Sequence, residues 1–361
     1  MRLLSLVCPV GPPEQTSEPE VARQVRRLDL KNDKRDRLAA VRWFEKHLKD
    51  EAVRQAVPAL ERSVKEDPDV DVRYWAVQCV AVIAYHRKEP CPLTVVEAML
   101  DRDLQVRIIA SAVAGLFNKF PPGARPILLR CMRSDDFEDR SGAVILLPLV
   151  GRRDEGVLRA VQRATRDKNF TVRHNARIAL FKLTDKLDDI VPYCVSAQVE
   201  LEAAREVPGE SEEKKLERSR KWMIRLMCLI KIGQLLESRP GECGKLLTKL
   251  LRDPSPRTRK GAALTCELLA RLARTNSSQT ETKRDAVPED AVKMCRPAVA
   301  VLRQKMGAVL KDLADHDPDR GVRDAARAAL RELTPVQKSL PPRRRVGLAA
   351  RDGGRMKARS G

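Results

Sequence analysis

Asp67-Pro68-Asp69-Val70-Asp71-Val72-Arg73-Tyr74-Trp75-Ala76 is the stretch that decides the fold, because it recurs. Copies run from Asp101 to Ala110, from Ser134 to Ala143 and from Asp167 to Ala176, each with an arginine three places before the final alanine. Two later copies run from Asp253 to Ala262 and from Asp317 to Ala326, and a fainter one from Lys31 to Ala40. The first five arginines, Arg37, Arg73, Arg107, Arg140 and Arg173, are 36, 34, 33 and 33 residues apart. A fixed period of this length means one supersecondary unit copied in tandem, which predicts a solenoid.

Each copy carries two apolar helical patterns. After Arg73, the residues Ala76, Val77, Val80, Ala81 and Ile83 fall at helical spacing. Arg87-Lys88-Glu89-Pro90 stops that pattern, and a second runs from Pro92 through Val95, Val96, Met99 and Leu100. Within the signature, Pro68 shapes a turn, Asp69 can cap free amides, and Asp71 suits the positive end of a helix dipole. The alanine three places after each arginine leaves room for close helix stacking. The signature arginines Arg37, Arg73, Arg107, Arg140, Arg173, Arg259 and Arg323 are expected to reach aspartates of their own or the adjacent turn, forming a structural ladder.

A helix opened by Asp-Pro-Asp-x-x-Val-Arg-x-x-Ala resembles the HEAT repeat, and most closely the short bacterial HEAT-like variety named after the phycobilisome lyases. The resemblance covers residues 31 to about 333. It implies an all-α, right-handed α-solenoid of about eight helix pairs, of a kind that mostly serves as a scaffold holding a partner on its concave face. A few related proteins are bilin lyases or alkylpurine DNA glycosylases.

Composition agrees with thin helix pairs: 43% of residues are hydrophobic but only 3% aromatic. No run of about 18 apolar residues exists, so no transmembrane segment is expected. Met1–Val10 lacks the marks of a signal peptide and is expected to be a tail. The nine cysteines show no Cys-x-x-Cys pair or metal-type clustering. Cys79, Cys228 and Cys266 fall on apolar helix faces as small core residues. A reducing cytoplasm follows as the expected location.

Three segments are expected along the chain: an irregular start (1–30), the repeats (31–334) and an arginine-rich disordered tail (335–361). Arg173 and Arg259 are 86 residues apart, which leaves space for a degenerate unit with Arg220 in the signature slot and Met223 in place of the alanine. Insertions are expected near 206–217, an acidic loop, and near 275–290, where they can carry partner contacts. The tail holds eight basic residues against Asp352, so +7 of the net +20 charge belongs to it and +13 to the repeats.

A basic surface attracts polyanions. Seven and ten places before three signature arginines stand Arg133 and Arg130, Arg166 and Arg163, and Arg252 and Lys249; fourteen places back, Arg159 and Lys245 join them. These offsets share one helix face, which predicts a basic stripe across second helices. Glu66 and Leu100 take the seven-back slot in two earlier units, so the stripe is central. The partner expected there is an acidic protein, with the phosphate backbone of a nucleic acid as the alternative.

No cofactor, metal or catalytic set is expected. His47, His86, His174 and His316 are scattered, and no His-Glu-x-x-His, phosphate-binding glycine loop or Gly-x-Ser-x-Gly occurs. Trp75 and Trp222 each sit two places after an arginine of the repeat, a packing position, so no acid-plus-aromatic pocket is foreseen. The expected function is that of a non-enzymatic scaffold, with a HEAT-like lyase or DNA glycosylase as the weaker alternative. The oligomeric state is not legible.

Overall fold

The computed structural model describes residues 17–200, 210–274 and 289–334; the start before Ser17, residues 206–209 of the first insertion, residues 275–288 of the second and the arginine-rich tail lie outside the described residues. Sixteen α-helices and no strand make up the described residues. Seven pairs follow one another: α2 (Lys34–Lys46) with α3 (Val57–Glu66), α4 (Val70–His86) with α5 (Leu93–Glu97), α6 (Leu104–Ala114) with α7 (Ala124–Cys131), and α8 (Phe137–Val150) with α9 (Glu155–Ala164). The last three are α10 (Phe170–Thr184) with α11 (Val191–Glu200), α12 (Glu212–Ser238) with α13 (Pro240–Leu251), and α14 (Pro256–Arg274) with α15 (Glu289–His316). A single helix stands at each end, α1 (Glu18–Arg27) and α16 (Arg320–Leu333). The expectation of an irregular start through residue 30 therefore fails from Glu18 onward, where Val21 and Gln24 are buried against the first pair. That helix carries no signature, so the repeat pattern could not announce it.

The two acids of the signature do different jobs. Asp69 is the N-cap of α4, accepting the amides of Asp71 and Val72. Asp103, Asp136, Asn169 and Asp319 cap α6, α8, α10 and α16 in the same way. Asp67, two places earlier, accepts the Asp69 amide at 2.9 Å and also faces the arginine of the preceding repeat. Each cap satisfies amides that a helix start otherwise leaves unpaired.

First helices stack on one another from α2 through α4, α6 and α8 to α10. Small residues allow this approach: Ala76, Ala110, Ala143, Ala176, Ala262 and Ala326 are all fully buried. The residue before the alanine is just as confined in two repeats. A Cβ on Gly142 would lie 2.0 Å from Ser111 Oγ, and one on Gly261 would lie 2.7 Å from the Val195 carbonyl oxygen.

The stacking changes after α10. Among the helices before it, α14 packs mainly against α11, and the two long helices α12 and α15 pack against each other. The apolar core also divides here, with residues up to Leu180 in one cluster and those from Phe181 in another. Arg220 does not open a repeat, contrary to the sequence expectation. It lies inside α12, donates to Glu138 Oε1 of α8 at 2.9 Å, and rests over the Phe137 ring. Residues 212–217, expected in a loop, form the first turns of that same helix. Met223 is exposed instead of occupying the buried alanine slot.

Candidate functional site

The site grows out of the inter-repeat turns. Arg73 Nη1 is held by the carbonyls of Asp67 and Pro68, while Nε and Nη2 grip both oxygens of Asp101 in the next repeat at 2.9 and 3.0 Å. Arg140 does the same with Asp167, and Arg259 with Asp317. Arg37 takes Asp67 at 2.7 Å. In the fourth signature Ser134 replaces the first aspartate, and Arg107 turns to Asp139 and Asp136 instead. Among the described residues, Arg173 and Arg323 keep only the contacts to their own turn.

Apart from that of Arg107, the inter-repeat pairs are fork-to-fork and largely buried, the strong form of an ion pair. The hydrogen bonds from Arg259 hold the Asp317 carboxyl below the usual carboxylate range, against the opposing effect of its burial. A folded-state pKa lowered in this way contributes stability that is fully present above the unfolded value, about 3.9, and is lost as pH falls through the folded value. The urea midpoints of the wild-type protein and Asp317→Asn should therefore differ by a constant amount above about pH 5 and converge below about pH 4. A difference that ignores pH would contradict the pairing.

All eight basic-stripe residues are exposed. Arg130 ends α7 and Arg133 lies in the turn after it; Arg159 and Arg163 are on α9 and Arg166 follows it; Lys245 and Lys249 are on α13 and Arg252 is its C-cap. Cations at helix C-termini complement the dipole, which gives Arg130, Arg163 and Lys249 a local role as well. The structure gathers three of the eight. Arg133, Arg159 and Arg163 line one groove of about 400 Å³ between α7 and α9, over Leu129, Met132, Ala160 and Ala164. Asp167 closes one end, but Arg140 already engages its carboxylate. Arg159 is paired with Glu155 at 3.1 Å, whereas Arg133 and Arg163 have no ion-pair partner among the described residues.

The cations on α13 form a separate group. α11, the intervening second helix, carries no lysine or arginine, so the stripe is not continuous. The apolar groove floor of Leu129 and Met132 was not foreseen in the sequence, where only the cations share a register.

One cysteine–histidine contact has the composition of a nucleophilic pair. Cys228 Sγ lies 3.9 Å from His174 Nδ1. Hydrogen bonds from Cys194 and then His174 hold the Cys228 thiol below its ordinary range, while the Cys194 thiol is pushed up. Cys228 is 0% exposed and His174 2%, which closes the pair to a substrate. Among the described residues, no cluster of three or more side chains could hold a metal ion. No described helix is long and apolar enough to cross a membrane.

Residues 56–87 match the HEAT repeat family model, a stretch comprising α3, the signature turn and α4. No curated protein sequence matches the chain. Among solved structures, the complex of CpcE and CpcF of phycocyanin lyase from a Nostoc species is 14% identical, covering 82% of this chain and 98% of that one, with a TM-score of 0.41. An engineered protein is 15% identical over 88% of this chain and 99% of its own, with a TM-score of 0.37. Kap121p bound to Pho4p is 12% identical over 88% of this chain and 37% of its own, with a TM-score of 0.43. The chain carries a HEAT repeat, and its fold is an all-α solenoid of HEAT-like helix pairs.

Proposed function

We propose that this solenoid is a non-enzymatic scaffold that binds an acidic protein segment along its second helices, with the groove of Arg133, Arg159 and Arg163 as the contact. The observation that carries this reading is the combination of three converging guanidinium groups with an apolar floor. Carboxylates would meet the rim, and a neighbouring apolar side chain would cover Leu129 and Met132. A nucleic-acid backbone would use the cations but leave that floor wet. The low aromatic content also offers little for base stacking.

The test is affinity capture of cellular partners by the full chain, with and without nuclease, alongside the triple variant Arg133→Glu/Arg159→Glu/Arg163→Glu. The expected result is a partner retained after nuclease and weakened on the order of a hundredfold by the triple variant at ~0.1 M salt. Retention that vanishes with nuclease would transfer the groove to nucleic acid. Retention indifferent to the triple variant would remove the groove from the interface.

A further inference from the structure

The ladder shows, within one molecule, what a signature arginine is built to hold. In Arg37, Arg73, Arg107, Arg140 and Arg259, Nε meets a carboxylate of the next signature at 2.7 to 2.9 Å. The Nη1 side of each is anchored on backbone carbonyls of its own turn. Arg173 has this anchor intact, with Nη1 at 2.8 Å from the Asp167 carbonyl and 2.9 Å from that of Lys168. Among the described residues its Nε and Nη2 find no acceptor, and the side chain is only half-buried.

The cause is topological. The following helix, α12, begins at Glu212 without an aspartate turn, and α14 stacks on α11 instead. The ladder is broken from both sides: Asp253, the first acid of the next signature, accepts its own Ser255 amide but no arginine among the described residues. Close to Arg173, Thr171 Oγ1 is buried with no hydrogen-bond partner, Lys168 is exposed, and Lys221 Nζ lies over the Phe170 ring.

We infer that Arg173 is a preformed fork for the carboxylate of an aspartate or glutamate from an acidic protein partner. The guanidinium is already oriented by two carbonyls, so little side-chain freedom is lost when a carboxylate arrives, and both of its oxygens can be met at once. This rests on the reading of the chain as a binder of acidic segments, but at a position outside the groove lining.

The experiment uses the full chain and poly-L-aspartate as probe. Arginines are modified with phenylglyoxal and followed peptide by peptide by mass spectrometry, while binding of labelled poly-L-aspartate is read by fluorescence anisotropy. Arg173 is expected to react about tenfold faster than the engaged Arg140, and to be slowed about fivefold by poly-L-aspartate but not by sodium chloride of equal ionic strength. Arg173→Lys, which keeps the charge and drops the fork, should lower poly-L-aspartate affinity about fivefold with an unchanged far-ultraviolet spectrum. Should that variant not fold, the modification rates of the wild-type chain still decide.

Arg173 as inert as Arg140, or equally reactive when poly-L-aspartate is bound, would overturn the fork. In the latter case, loss of binding in the Arg133→Glu/Arg159→Glu/Arg163→Glu variant would leave the groove standing. Protection of Arg173 that persists unchanged in that triple variant would instead support the fork and count against the groove. No binding of poly-L-aspartate by the wild-type chain would remove both.

Discussion

Asp67→Ala should cost about 3–5 kcal/mol of stability, the range for breaking a buried ion pair by removing one partner. The side chains of Arg37 and Asp67 are 7% and 0% exposed, so solvent cannot replace the lost carboxylate. The Arg37 guanidinium would keep only the Asn32 carbonyl. Asp67 also accepts the Asp69 amide, which orders the turn into α4, so the same substitution loosens the next helix start. Exchanging both partners, Arg37→Met with Asp67→Leu, should recover most of the loss, because no charge is left buried alone. By contrast, Glu20→Ala removes a pair with the exposed Arg23 and a hydrogen bond from Gln24, and should shift the midpoint far less. Urea denaturation of the three variants and the wild-type protein checks the ranking. An Asp67→Ala midpoint indistinguishable from that of Glu20→Ala would mean that the ladder does not hold the repeats together.

Gly261→Val is the second severe change, with an expected cost of about 2–3 kcal/mol. Its new Cβ would stand 2.7 Å from the Val195 carbonyl oxygen and 3.2 Å from Val195 Cγ1. The oxygen belongs to the backbone of α11, so relief requires the whole helix to retreat. Ala262 beside it is fully buried, and the contact of α11 with α14 carries the solenoid past the irregular α12. Gly307 in α15 provides the opposite sign. A Cβ there meets nothing within 4 Å, so Gly307→Ala should stabilise by about 0.5–1 kcal/mol through helix propensity alone. Thermal unfolding of both variants tests the pair; equal shifts would show that close packing at Gly261 does not matter.

Much of the fold could be read because the signature is a local device. Asp69 caps α4 from two residues away, and the turn from Asp67 to Arg73 closes on itself through carbonyl contacts. Such contacts lie within about six residues, so spacing in the chain reports them directly. The compensation at Arg107 was not legible in the same way. Ser134 takes the place of the usual aspartate, and only the folded turn shows Asp139 and Asp136 moving into its role.

The candidate site was legible only as a register. The eight cations picked out by offsets of seven, ten and fourteen from a signature arginine are all exposed; five follow helical periodicity on α7, α9 and α13, while Arg133, Arg166 and Arg252 sit just past the ends of those helices. The offsets do not say which second helices lie side by side. Arg133 meets Arg159 and Arg163 because α7 and α9 border one groove, whereas α11 separates these from Lys245, Lys249 and Arg252.

Period, caps, the alanine seam and the arginine slots were therefore set by the chain itself, because each depends on neighbours a few residues apart. The path through α12 was decided by tertiary packing alone. A signature-like Arg220 was drawn instead to Glu138, 82 residues earlier in the chain, and α14 found its seat on α11. Those contacts join distant segments whose burial is settled by which apolar faces fit, and no spacing encodes that. The open guanidinium of Arg173 is the local mark that this non-local choice leaves behind.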